Sequence, residues 1–168
     1  MKNALINYIK NVPNDELYTP YYAIELLIKY LPKGITIWEP TDFGDSNITK
    51  CLIDNGFKVI SSHKKNFDFL LDHISFAFDF IITNPPYSIK DDFIKRCYDL
   101  KKPFALLLPL TSLEGVYRGS LFRKYGIDLL VLDKRINYMS YKKTCWFNTS
   151  WFCFGFLPKQ LIFEEVSK

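Results

Sequence analysis

Two apolar runs constrain this chain more than anything else in it: Phe78 to Thr83, with Phe80-Ile81-Ile82 at its centre, and Phe104 to Leu108, which contains Ala105-Leu106-Leu107-Leu108. Both are too short for a helix and too continuously apolar for a strand with one face in water. They read as strands buried on both sides, which places them in the middle of a parallel sheet covered by helices. The flanking segments supply such a sheet. Tyr21 to Leu31 carries Ala23, Leu26, Leu27 and Tyr30 at helical spacing, with Pro20 at its start and Pro32-Lys33-Gly34 at its stop. Ile35 to Trp38 is a short strand bounded by Gly34 and Pro40, and Ser46 to Asn55 is a helix capped by Ser46 and ended by Gly56. Phe57 to Ser61 and Ile127 to Leu132 are further strands, and Ile89 to Leu100 and Tyr117 to Tyr125 further helices. Asn148 to Phe156 predicts a strand running antiparallel into the sheet, with Leu161 to Phe163 near its edge. The expected fold class is α/β, Rossmann-like, with a mostly parallel central sheet, helices on both faces and an antiparallel C-terminal strand.

No repeat or Gly/Ser-rich linker divides the 168 residues, so one domain over 1–168 is expected. Apolar residues at 48% and aromatics at 17% exclude a disordered chain. Lys and Arg exceed Asp and Glu, 22 to 18, and the resulting charge of +4 suits a polyanionic partner without requiring one. Cys51, Cys97, Cys145 and Cys153 form no C-x-x-C pair, so they read as buried free thiols in a reducing compartment, with no metal site. Met1 to Lys10 lacks a signal-peptide core, and no apolar run reaches the roughly 18 residues of a membrane span. A cytoplasmic protein that does not enter a membrane is the resulting expectation.

Open α/β sheets bind ligands where the strands end and their order reverses. Trp38-Glu39-Pro40, Ser61-Ser62-His63 and Thr83-Asn84-Pro85-Pro86-Tyr87 all fall at predicted strand ends. The last is the most specific motif in the chain. Two prolines lock the backbone and remove two amide donors, so the loop presents acceptors in a fixed direction. The side-chain oxygen of Asn84 and the carbonyl of Pro85 can together accept both hydrogens of an amino group, aligning the nitrogen lone pair for attack. Tyr87 then offers a flat face to an unstacked base, and is expected to stand partly open at the rim.

In this order, Thr19-Pro20, Glu39-Pro40, Asp68-Phe69 and Asn84 to Tyr87 resemble the motif set of adenine-specific amino-methyltransferases of DNA, especially short stand-alone forms carried by phages. The resemblance runs from Tyr18 to about Phe163 and includes the core strand in Lys102 to Leu110. It implies the class I methyltransferase fold, S-adenosyl-L-methionine as cofactor, and a nucleic acid substrate, DNA rather than RNA. By the same resemblance Thr19, Pro20 and Glu39 meet the methionine end of the cofactor, Asp68 and Phe69 its adenine, and Asn84, Pro85, Pro86 and Tyr87 the target amine.

The chain also departs from that pattern. The family's loop resembles Glu-Pro-x-Ala-Gly-x-Gly, against Glu39-Pro40-Thr41-Asp42-Phe43-Gly44-Asp45-Ser46 here. An ungapped match puts Phe43 and Asp45 at the glycine positions; a one-residue insertion keeps Gly44 and puts Ser46 at the second. The ribose-binding carboxylate expected after the second strand is missing from Ser61-Ser62-His63-Lys64-Lys65, so either Ser62 or His63 takes its place or the ribose goes unheld. Asp68 reads equally as a turn cap. Lys142-Lys143 with Trp146 and Phe147 reads as a phosphate and base contact or as a solvated turn beside a core strand. Related DNA enzymes add a target-recognition region that this sequence does not show, so specificity would come from a protein partner, a dimer, or substrate shape. Two readings result: an N6-adenine methyltransferase, or a methyltransferase-like binding protein without catalysis, such as a phage-borne antagonist of a host system. An open cleft beside Glu39 and Asp68 favours the first, and one filled by Phe43 or His63 the second.

Overall fold

The computed structural model describes residues 18–138 and 147–166. Pro20, extended at φ −71° and ψ 151°, starts helix α1 (Tyr21–Ile28), which buries Ala23, Ile24, Leu26 and Leu27. Strand β1 (Thr36–Glu39) leads to α2 (Asn47–Asp54), whose first turn is capped by Ser46 Oγ accepting from the Ile48 amide. Then come β2 (Lys58–Ser61), β3 (Phe80–Thr83), a 3₁₀ turn over Tyr87–Ile89 and α3 (Lys90–Leu100). Next are β4 (Phe104–Pro109), a 3₁₀ turn over Leu110–Leu113, α4 (Val116–Tyr125), β5 (Asp128–Leu132), β6 (Thr149–Phe154) and β7 (Leu161–Glu164).

The seven strands form one sheet in the order β2-β1-β3-β4-β6-β5-β7. Neighbours pair in parallel except where β6 lies between β4 and β5, antiparallel to both. β6 is the expected antiparallel strand, and β7 the expected edge. β3 and β4 are buried at every position, as their unbroken apolar runs require. Strand order reverses between β1 and β3, so the switch point lies where Glu39 and Thr83 end those strands.

One crossover departs from strict alternation. Residues 62–79, between β2 and β3, contain no helix. They carry Phe67, Phe69, Phe76 and Phe78, which meet the fully buried Trp38 edge-on with ring centroids 5.0 to 5.7 Å apart. Aromatic edge-to-face packing covers this part of the sheet where a helix would otherwise lie.

Cys51, Cys97 and Cys153 are buried free thiols, and burial pushes the Cys51 thiol up to about 12 and the other two upward as well. Cys145, Lys142, Lys143 and Trp146 lie outside the described residues. Phe147 is buried. No helix among the described residues is long and apolar enough to cross a membrane.

Candidate active site

A cavity of about 820 Å³ opens at the switch point, within the size range of small-molecule sites. Of the residues singled out in the sequence, Thr19, Glu39, Asp68, Phe69, Asn84 and Pro86 line it. They come from separate segments of the chain. Pro20, Gly44, Ser62, Pro85 and Tyr87 are not among its walls.

Glu39 is the hub of this rim. Its Oε1 accepts from the Thr41 amide and hydroxyl, each at 2.9 Å, and from the Thr83 hydroxyl at 2.6 Å. Its Oε2 accepts from the Ser46 hydroxyl at 2.9 Å. One carboxylate thus ties β1 to the following loop, the cap of α2 and the end of β3. Burial pushes its pKa above the ordinary carboxylate range against the pull of those four hydrogen bonds. Asn84 is held to the same assembly, its Nδ2 donating to Thr19 Oγ1 at 3.2 Å, while the Thr19 carbonyl accepts from Asn47 Nδ2 at 3.1 Å.

The loop after β1 has an organiser that the sequence did not announce. Asp42 Oδ1 accepts from the amides of Gly44, Asp45 and Ser46 at 2.6, 3.0 and 3.0 Å, and its Oδ2 from the Thr49 hydroxyl at 2.7 Å. A carboxylate supplied by the chain itself therefore fills the anion-binding concavity before α2. Gly44 sits at φ +100°, where a side chain would be strained, and so keeps a backbone role away from the cavity wall. The legible signal was Asp two and three residues before Gly and Asp, an Asx-turn pattern at a helix start. Burial acts to raise the Asp42 pKa, but the bonds from Thr49 and the three amides prevail and hold it below the ordinary value. Its stabilising contribution is therefore whole above the ordinary Asp range and is lost as pH falls through the lowered folded value. Asp42→Ala should cost roughly 0.5–2 kcal/mol at pH 7, as loss of a helix cap does. Urea unfolding of the two proteins should show this gap closing in acid; a gap independent of pH would contradict the assignment.

Ser62 requires a correction. It is buried and its Oγ accepts from Trp38 Nε1 at 2.9 Å, so it faces the aromatic cage and not a ribose. The indole needs that acceptor because nothing else in a cage of phenylalanines can supply one. Ser62→Ala should destabilise by about 1–3 kcal/mol by leaving the indole N–H unpaired, with ligand affinity unaffected. Paired thermal unfolding and ligand titration would reveal the opposite pattern if Ser62 touched a ligand. His63, Lys64 and Lys65 line the cavity at this strand end instead.

Tyr87 is the second correction. It is 3% exposed, meets Phe147 edge-on at 5.9 Å, and its hydroxyl lies 3.1 Å from that of Tyr138, which donates to Thr149 Oγ1 at 3.0 Å. The ring is packed into the core against Phe147 and Tyr138, so it offers no open face to a base in this structure. Asp68 is a turn cap, its Oδ1 accepting from the Leu70 amide at 2.8 Å, and it also lines the cavity. Phe69 is buried, stacked on Phe93 at 4.8 Å, and the pair forms an apolar wall. At the mouth, Phe43 is half exposed and lies against His63 with centroids 3.5 Å apart, narrowing the cleft without closing it. No group of three metal-ligating side chains occurs among the described residues.

No protein-family model matches the sequence, and no curated protein matches it. Solved structures do resemble it. The methyltransferase subunit of a type I restriction-modification system from Streptococcus thermophilus superposes with a TM-score of 0.55 at 16% identity, over 89% of this chain and 47% of that one. A protein from Vibrio vulnificus assigned as a modification subunit of a type I restriction enzyme gives 0.50 at 10% identity, over 99% and 51%. One from Listeria monocytogenes assigned as a class I S-adenosylmethionine-dependent methyltransferase gives 0.52 at 13% identity, over 99% and 71%. The chain spans about half the length of the first two. The likeness defines the fold as that of the class I methyltransferases.

Proposed function

We propose that this chain is an adenosylmethionine-dependent methyltransferase acting on the exocyclic amine of adenine in nucleic acid, DNA in preference to RNA. The observation that carries the reading is convergence: Thr19, Glu39, Asp68, Phe69, Asn84 and Pro86, far apart in sequence, line one cavity at the switch point. Its size and its Phe69–Phe93 wall beside Asp68 fit an adenosine, and Thr19 and Glu39 lie toward the Asn84 loop, where a methionine end would lie. When bound there, adenosylmethionine supplies an electrophilic methyl group.

The chain's own residues then have only to bind and orient. The amine of adenine is a weak nucleophile, because its lone pair delocalises into the ring. Acceptance of an amine hydrogen by Asn84, which lines the cavity where Pro85 does not, favours rehybridisation, and proximity supplies much of the remainder. Thr19 holds the Asn84 amide, and Glu39 holds the rim through Thr41, Ser46 and Thr83. Reaching this loop requires a base extruded from its stack. Restriction-modification subunits among the structural neighbours favour DNA and a partner chain that supplies specificity.

Titration calorimetry with adenosylmethionine and adenosylhomocysteine, followed by mass spectrometry for methylated adenine in DNA from expressing cells, tests this. Failure of both ligands to bind at millimolar concentration would sink it. A second reading, a binding protein without catalysis, is favoured by the Asp42 carboxylate filling the loop concavity and by lysines where a ribose carboxylate is expected. Nucleic acid binding with no cofactor binding is its signature.

A further inference from the structure

The sheet ends on β7, and that edge is open. Among the described residues β7 pairs with β5 alone, and along it Leu161 is 50% and Phe163 69% exposed. The Gln160 and Glu164 carbonyls accept from the amides of Leu129 and Asp133 at 2.8 and 3.0 Å, and the Val166 amide donates to Asp133 Oδ1 at 2.9 Å. Even-numbered residues of this segment therefore turn their backbone groups inward to β5, and Leu161, Phe163 and Glu165 turn theirs outward. The strand is also pinned at its end. Lys134 Nζ donates to the Val166 carbonyl, and Glu164 accepts from Lys29 Nζ at 2.7 Å and from the Tyr30 hydroxyl, both at the end of α1. A fixed row of outward N–H and C=O groups is a template for another strand.

Sheets blunt such edges with charge, and β2, at the other end, does so with the exposed Lys58. β7 contains no lysine, and its one charged residue, Glu164, is engaged by Lys29 and Tyr30. Side chains alternate along a strand, so Lys159, Leu161, Phe163 and Glu165 share one face, and all four are exposed. A second copy laid antiparallel about a twofold axis through Ile162 sets Leu161 opposite Phe163 and Lys159 opposite Glu165, each pair twice. These are also the positions whose backbone groups point outward, so hydrogen bonds and side chains select one register. A slip of two residues either way sets a charge against an apolar side chain, Glu165 against Leu161 or Lys159 against Phe163. None of the ion pairs among the described residues uses Lys159 or Glu165.

We infer that β7 is the interface of a symmetric dimer, in which two copies of this chain continue one sheet. Opposite charges, and an aromatic ring facing an aliphatic side chain, each favour an antiparallel pair. Four residues a side is small against the roughly 20–30 of stable interfaces, so the dimer is reversible and forms as concentration rises. β4, β6 and β5 separate β7 from β3, so the pairing leaves the cavity of each copy open and does not depend on the proposed reaction.

Sedimentation velocity on the full chain, across micromolar to millimolar concentrations, tests this. Wild type should pass from monomer to dimer. Phe163→Lys puts a cation opposite Leu161 and should weaken association about tenfold or more, while unfolding like wild type in dilute solution because the site is exposed. Lys159→Glu and Glu165→Lys each set like charges opposite one another, and each alone should weaken association several-fold. An equimolar mixture of these two variants restores opposite charges at both pairs and should dimerise as wild type does. That rescue belongs to this register alone. The inference is overturned if wild type stays monomeric at millimolar concentration, if Phe163→Lys associates as wild type does, or if mixing the two charge variants restores nothing.

Discussion

Replacing Asn84 by alanine is expected to abolish methyl transfer while leaving adenosylmethionine affinity nearly unchanged. Asn84 directly follows β3 and lines the cavity together with the Asp68 turn, and in the proposed reading it touches the amine and not the bulk of the cofactor. Loss of one preorganised polar contact to a reacting group commonly costs about 10²–10³ in rate. Thr19 would lose the partner 3.2 Å from its hydroxyl, but the Thr19 carbonyl would still be fixed by Asn47. Single-turnover transfer assays beside calorimetry separate the two effects. Transfer within a few-fold of wild type would remove Asn84 from its role, and a parallel collapse of cofactor affinity would make it a binding residue instead.

Tyr87→Ala is expected to be the most destabilising substitution in the motif, at about 3–5 kcal/mol, the range for large aromatics deleted from cores. The ring is buried against Phe147 and its hydroxyl belongs to the Tyr138–Thr149 chain that fixes the loop to β6. Tyr87→Phe should cost only about 1 kcal/mol, since the ring's packing survives and one hydrogen bond is removed. Transfer by Tyr87→Phe should remain close to wild type, as it would if the ring stacked on a base. Stability is therefore the discriminating measurement. Should Tyr87→Ala unfold like a surface variant and still fail to transfer, the ring acts on the substrate and the buried position is not the working one.

The difference between what was legible in the chain and what was not follows the range over which the forces act. Continuous burial of β3 and β4, the start of α1 at Pro20 and the cap of α2 at Ser46 depend on periodicity, proline geometry and hydrogen bonds between near neighbours, so residue order determined them. The place of the cavity followed too, since open sheets leave a crevice at strand ends where order reverses. Element ends moved by up to three residues: the helix expected to reach Leu31 ends at Ile28, the strand expected from Ile35 runs from Thr36 to Glu39, and Phe78 left its strand to pack on Trp38.

Which side chains face the cavity was a different matter, because it depends on partners distant along the chain. Ser62 and His63 are adjacent in sequence, yet the indole of Trp38 draws the first toward the aromatic cage while the second lines the cavity. Tyr87 turned inward because Tyr138 and Phe147, some fifty to sixty residues away, built a pocket for it. Glu39 and Asp42, three residues apart, both became acceptors of several hydrogen bonds, one from the following loop, the end of β3 and the cap of α2, the other from the loop's own amides and Thr49. Sequence alone determined the sheet, its covering helices and the rim. Only the tertiary structure decided which polar groups on that rim were already satisfied, since a hydrogen bond closes through space and leaves no periodic mark on the chain.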